Sequence, residues 1–184
     1  MKRVALVFSF LIFGWFIVFA PYSNAQIPSG RDVVAPAAYA SSDPAARAMN
    51  LQIAVVLKIR SGFHVNAREV SADYLIPTDL KGEAAAGFKF GEVVYPKGTL
   101  QTFAFSKSKP LNVYSDSVTL FVPVSVAADA PAGEQYLVLK LRYQACSTEI
   151  CLPPVTKEVP VTITIVEDAK SAHPAHGEIF KQAR

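Results

Sequence analysis

Leu51-Gln52-Ile53-Ala54-Val55-Val56-Leu57-Lys58-Ile59-Arg60 decides the fold class. Its odd positions are all apolar, and its even positions include Gln52, Lys58 and Arg60. Successive side chains of a strand point to opposite faces, so a period of two predicts one buried and one wetter face. Ser61-Gly62 punctuates the run and Phe63-His64-Val65-Asn66 resumes it. Working outward, the pattern predicts strands over residues 74–76, 88–95, 102–105, 117–126, 135–144 and 159–166. The last alternates cleanly, with Val159, Val161, Ile163 and Ile165 on one face. Pro96-Lys97-Gly98 and Ala130-Pro131-Ala132-Gly133 supply turns between them. Pro123 lacks an amide hydrogen, which predicts an edge strand or a bulge at that point. No helix-period segment of useful length follows residue 25. Many short strands at this spacing indicate an all-β chain, an immunoglobulin-like antiparallel β-sandwich, with a closed barrel as the alternative.

The flanking regions have different compositions. Met1-Lys2-Arg3 is basic, residues 4–20 are almost wholly apolar, and Ser23-Asn24-Ala25 offers small residues for cleavage. Residues 1–25 therefore read as a secretory signal peptide, with an uncleaved membrane anchor as the alternative. No cysteine lies near the cleavage site, which excludes a lipoprotein anchor. Cleavage after Ala25 leaves 159 residues, enough for one domain with its own core. Loss of Lys2 and Arg3 lowers the formal charge from +3 to +1. A near-neutral domain without a basic stripe argues against nucleic acid as a partner. No second apolar stretch is long enough to cross a bilayer. Residues 26–49, rich in Ala and Pro, read as a loosely ordered arm. Residues 50–167 form the domain, and the polar residues 168–184 read as a flexible tail.

The first functional hypothesis rests on Cys146 and Cys151, the two cysteines of the chain, in Tyr143-Gln144-Ala145-Cys146-Ser147-Thr148-Glu149-Ile150-Cys151-Leu152-Pro153-Pro154. Two thiols this close in an exported protein can open and close a disulfide with little chain movement. Three readings stand: a redox pair, a structural disulfide and a metal site. As a staple the pair is weak, because closing so short a loop restricts the unfolded chain by only about 2 kcal/mol. A thioredoxin-type site has two residues between its cysteines and a helix start beside them. Here four intervene, and Pro153-Pro154 stops a helix from running through them. The reactivity of the pair should then depend on an activated partner. For copper the required Cys, His and Met set is missing near the loop, Met49 being far away. His64, His173 and His176 show no zinc-type spacing. No metal and no other cofactor is expected.

The cysteine block, continued by Val155-Thr156, resembles the N-terminal periplasmic domain of the thiol:disulfide interchange protein DsbD. Gly62-Phe63-His64-Val65-Asn66, Tyr95-Pro96 and Val113-Tyr114-Ser115-Asp116-Ser117-Val118-Thr119-Leu120 follow that family's order. The resemblance spans about residues 50–166. It implies an immunoglobulin-like fold and a periplasmic electron relay through a reversible Cys146–Cys151 disulfide. Activity, if the module turns over, would be that of a protein-disulfide reductase. Implied partners are thioredoxin-like proteins, including one of cytochrome c maturation, or a disulfide isomerase. Cys151 would form the mixed disulfide and Cys146 would resolve it. A mobile cap loop is also implied, with Phe105 as the candidate cap and Phe103 beside it, or both as ordinary inward-facing strand residues. DsbD continues into a membrane-spanning region that this sequence does not contain, so a separate membrane electron donor is expected.

Two further features bear on the site. The family's acidic residues before the cap have no counterpart, since no carboxylate lies between Glu92 and Asp116, and Lys107 and Lys109 are nearby. Positive charge near a thiol would favour thiolate. His64 and Asn66 share a strand parity that could turn them toward the cysteines. His64 is a candidate for proton exchange near neutral pH, with a surface histidine as the plainer alternative. The remaining alternative for the whole chain is a non-catalytic immunoglobulin-like binding module whose disulfide stiffens a loop.

Overall fold

The computed structural model describes residues 28–106 and 109–181. The expected signal peptide and Lys107 lie outside the described residues. A short helix, α1 (Gly30–Val33), leads into β1 (Val34–Ala40), β2 (Ala45–Ala46), β3 (Asn50–Ile59), β4 (His64–Asn66), β5 (Asp79–Gly82) and β6 (Phe88–Phe90). Then come β7 (Thr99–Thr102), β8 (Pro110–Ser115), β9 (Ser117–Val126), β10 (Gly133–Tyr143), β11 (Ala145–Cys146), β12 (Val155–Val166) and a last turn of helix, α2 (Gly177–Phe180). One sheet has the order β1-β3-β9-β6 and a second the order β2-β12-β10-β5. A third, β11-β4-β8-β7, carries the first cysteine. All pairings are antiparallel except the short β12–β2 contact. This is the β-sandwich that the alternation indicates.

The period-two faces meet in one core. Ile53, Val55 and Leu57 of β3 and Leu120, Val122 and Val124 of β9 pack with Leu137, Leu139, Leu141, Val159, Val161 and Ile163 of β10 and β12. Burying such side chains stabilises by about 1.5–3 kcal/mol each. Tyr143, fully buried, also donates its hydroxyl to the Gly30 carbonyl at 2.9 Å. That bond holds the N-terminal segment against β10, and burial pushes the phenol pKa up to about 12. Tyr143→Phe should lower unfolding stability by about 1–2 kcal/mol, because the Gly30 carbonyl is left unpaired. Urea denaturation measures the change directly.

Several local expectations are corrected. Residues 34–40, expected within a loose arm, form β1 and pair along their whole length with β3. Alanine and proline hide this strand, because its stability comes from backbone pairing to a partner chosen by the fold. The C-terminal segment, expected to be flexible, docks instead. Asp43 and His173 exchange backbone hydrogen bonds with each other's neighbourhood, Asp43 N–H to His173 O and His173 N–H to Pro44 O, both at 3.0 Å. Phe180 packs on Phe121 with centroids 5.9 Å apart. Residues 74–76 form no strand, and β5 lies just beyond them. Only residues 88–90 of the 88–95 run pair as a strand. Pro123 sits in an interior strand in unbroken register with β3, while on its other side the ladder slips by one residue past it, so that Glu92 and Val93 together oppose Val122, a bulge in the facing segment. Its missing donor costs little, because β6 ends at Phe90 and the Pro123 carbonyl accepts from Gly91 N–H at 2.8 Å.

The third sheet is built from strands that outlast their first partners. Asp116, at φ 59°, joins β8 to β9. Gly62, at φ 81°, closes the turn between β3 and β4, a conformation that glycine adopts at little cost. On the other side β10 ends at Tyr143, and the chain passes through Gln144 into β11. There Cys146 pairs with His64 and Ala145 with Val65. The cysteine hairpin is thereby moved from the second sheet onto the third.

Candidate functional site: a disulfide hairpin beside a buried histidine

Cys146 and Cys151 are bonded to each other, with Cα atoms 3.9 Å apart. They face one another as an antiparallel bridge. Leu152 N–H donates to Ala145 O and Ser147 N–H to Ile150 O, each at 2.8 Å. The Ser147 hydroxyl accepts from Glu149 N–H at 3.1 Å and Ile150 N–H at 3.2 Å. Backbone and hydroxyl bonds thus hold the hairpin on both sides of the sulfur bridge, and opening the bridge need not unravel it. Ser147 was not singled out from sequence, although a serine starting a short polar loop is a recognisable turn signal.

The two sulfur positions are not equivalent. Cys146 is fully buried, because β11 is covered as part of the third sheet. Cys151 is exposed, and its neighbour Ile150 is 44% exposed. A partner arriving from solvent meets Cys151 and an apolar side chain together.

Gln144 links the hairpin to its surroundings. Its side-chain amide donates to Leu152 O at 3.3 Å, and its carbonyl oxygen accepts from Ile76 N–H and the Asn66 amide at 3.4 Å. Asn66 is fully buried and also donates to Ile76 O at 2.9 Å. Gln144 and Asn66 stand at the crossing of β10 into β11, where regular strand pairing is interrupted and side chains must satisfy the backbone.

His64 is the register partner of Cys146. It is 3% exposed, so the surface reading is corrected. Its Nε2 is buried without a hydrogen-bond partner, as is Asn66 Oδ1. Burial lowers its pKa to about 4, with no charged neighbour contributing. In this conformation burial keeps the imidazole neutral at neutral pH. Desolvation disfavours the imidazolium, and among the described residues nothing compensates.

Phe103 lies on the His64 ring, with centroids 4.0 Å apart and planes 13° from parallel. Phe105 runs parallel to both rings, 5.5 Å from Phe103 and 6.4 Å from His64. Neither residue belongs to a strand, which corrects the strand expected over residues 102–105. The strand β7 stops at Thr102, and residues 104–106 form one 3-10 turn. Ser106 closes that turn by donating its hydroxyl to Phe103 O at 2.9 Å. Both rings are half-buried and pack on Leu75, Leu111 and Val113, a cluster separate from the main core. Lys109 is exposed at the end of the turn.

Among the described residues no group of three or more His, Cys, Asp and Glu side chains has a metal-binding arrangement. No described helix is long and apolar enough to cross a membrane.

A family model described as "Thiol:disulfide interchange protein DsbD, N-terminal" matches residues 32–163. Among solved structures, the chain is similar to the reduced DsbD N-terminal domain of Neisseria meningitidis, at 19% identity and a TM-score of 0.48. That similarity covers 83% of this chain and 98% of the other. It is also similar to the N-terminal periplasmic domain of ScsB from Proteus mirabilis, at 13% identity and a TM-score of 0.45. There it covers 73% of this chain and about half, 48%, of the other. A search among curated proteins finds no match.

Proposed function

The chain belongs to the family of the DsbD N-terminal domain, and on that premise we propose that it is a periplasmic thiol–disulfide exchange module. The observation that carries this reading is the asymmetry of the pair, with Cys151 exposed and Cys146 fully buried. Exchange starts at a sulfur that a partner can reach, and burial of the second sulfur directs that first attack to Cys151.

In the reducing direction, the Cys151 thiolate attacks a sulfur of a partner's disulfide. The partner's other sulfur leaves as a thiolate, and a mixed disulfide remains. Cys146 then attacks Cys151 Sγ, the bond to the partner breaks, and the partner departs as a dithiol. Two electrons pass to the partner and the Cys146–Cys151 bond re-forms. The reverse sequence recharges the module from a donor dithiol. The partners are thioredoxin-like proteins of the periplasm or a disulfide isomerase, and the source of electrons is a membrane protein. Ile150 offers an apolar contact beside the reactive sulfur. The aromatic turn at Phe103 and Phe105 is the cap, limiting access from its side to His64 and to the strand that carries Cys146.

Equilibration with glutathione buffers, read by alkylation and mass, tests the reading. A reduction potential between about −270 and −180 mV, where exchange proteins lie, is the expected result. A value below about −300 mV, typical of inert structural disulfides, would overturn it in favour of a binding module.

A further inference from the structure

We propose that His64 is the base that takes the proton from Cys146 when the mixed disulfide is resolved, and that the Phe103 ring holds this base out of use until the cap lifts. The inference rests on the exchange reading above and assigns a residue to its second step.

Three observations carry it. Cys146 is fully buried, so its thiol has no direct route to bulk water while the cap is closed. A buried thiol keeps its proton, yet only the thiolate attacks. Second, His64 stands opposite Cys146 in the β4–β11 pair. Directly opposed residues in an antiparallel pair project to the same face, with Cβ atoms about 5 Å apart. Third, Nε2 of His64 is an unpartnered buried nitrogen. Leaving such a group without a partner is costly in a fold that satisfies nearly all others. In the dithiol state the Cys146 S–H is the donor that the register brings to it.

Among the described residues, the surroundings of His64 contain little else that titrates. From β8 its register partner is Ser115, with Asp116 next along the chain. From the cap come Phe103 and Phe105, and Lys109 beyond them is exposed. From its own strand comes Asn66, and from β11 comes Cys146. Burial alone depresses the imidazole pKa to about 4. Removing the Phe103 ring readmits solvent and returns the imidazole toward its ordinary 6.5, where it is an effective base near neutral pH. The base is thus weak when the cap is closed and stronger when a partner has displaced it.

In the mixed disulfide, Cys151 Sγ is bonded to the partner's sulfur and Cys146 carries its thiol proton. His64 Nε2 accepts that proton as Cys146 Sγ bonds to Cys151 Sγ. The Cys151–partner bond breaks, its electron pair leaves on the partner's sulfur, and the imidazolium passes its proton to that thiolate or to solvent.

The test uses the dithiol form of the protein and an aromatic disulfide that releases a coloured nitrothiophenolate. Attack by Cys151 releases one equivalent in a concentration-dependent phase. Resolution by Cys146 releases the second in a concentration-independent phase. His64→Phe keeps the ring packing and removes the nitrogen. The ratio of second-phase to first-phase rate should fall about 100-fold, the low end for a positioned base. A purely structural loss would not slow one phase selectively, and an unchanged ratio overturns the inference while leaving the exchange reading intact. Absence of both phases in the unmodified protein overturns the exchange reading and this one with it. As a second measurement, proton NMR should place the His64 titration near 4 in the unmodified protein and well above it in Phe103→Ala. An unmoved midpoint overturns the role given to the cap.

Discussion

Cys151→Ala should abolish electron transfer to partner disulfides, while Cys146→Ala should still react and then stop at the mixed disulfide. The reason is the burial difference between the two sulfurs, one exposed and one covered by the third sheet. Without Cys151 the remaining thiol is the buried one, and an approaching disulfide cannot align with it. Without Cys146 the first exchange proceeds, but no second thiol is placed to attack Cys151 Sγ. Non-reducing gel electrophoresis with a thioredoxin-like disulfide protein should show an adduct for Cys146→Ala and none for Cys151→Ala. Both variants should remain folded. The hairpin keeps its two flanking hydrogen bonds, and loss of so short a loop closure costs about 2 kcal/mol. The reverse pattern, with adducts through Cys146, would contradict the assignment of roles.

The second large effect is the pH dependence of stability caused by His64. The unfolded imidazole protonates near 6.5 and the folded one near 4. Between these values the unfolded state binds more protons, so acid favours unfolding. The stability associated with the neutral buried ring is complete above about pH 6.5 and lost as pH falls through about 4. The full change is about 3 kcal/mol. Carboxylates titrate in the same window, so the measurement is the difference between the unmodified protein and His64→Phe. Urea midpoints across this range should diverge as pH falls, with the variant losing less. At neutral pH the variant should be more stable by about 1 kcal/mol, since an unpartnered buried nitrogen is replaced by carbon. Parallel curves would show that His64 is not buried in solution.

Much of the sandwich was legible because its main strands carry their own instructions. In β3 the alternating Leu51, Ile53, Val55, Leu57 and Ile59 are all buried, and β9, β10 and β12 follow the same logic. Strands stabilised by pairing rather than by an apolar face were not legible. The alanine- and proline-containing β1 is ordered by β3, and the C-terminal segment is ordered by backbone bonds to residues 41–44 and by Phe121. Neither dependence leaves a periodic trace in sequence. Phe103 and Phe105 alternate as strand residues would, yet Ser106 closes the backbone there into a 3-10 turn.

By itself the sequence determined the all-β class, the main faces of the core, and a pair of cysteines close enough to bond to each other. Those properties depend on the nature and near-neighbour spacing of residues, which the chain states directly. Only the tertiary structure decided which cysteine is exposed, that His64 is buried, and that it faces Cys146 beneath Phe103. These follow from β10 leaving one sheet to continue as β11 in another, which brings distant segments into register. Burial and pKa are set by what surrounds a group, and the surroundings are assembled only when the strands pair.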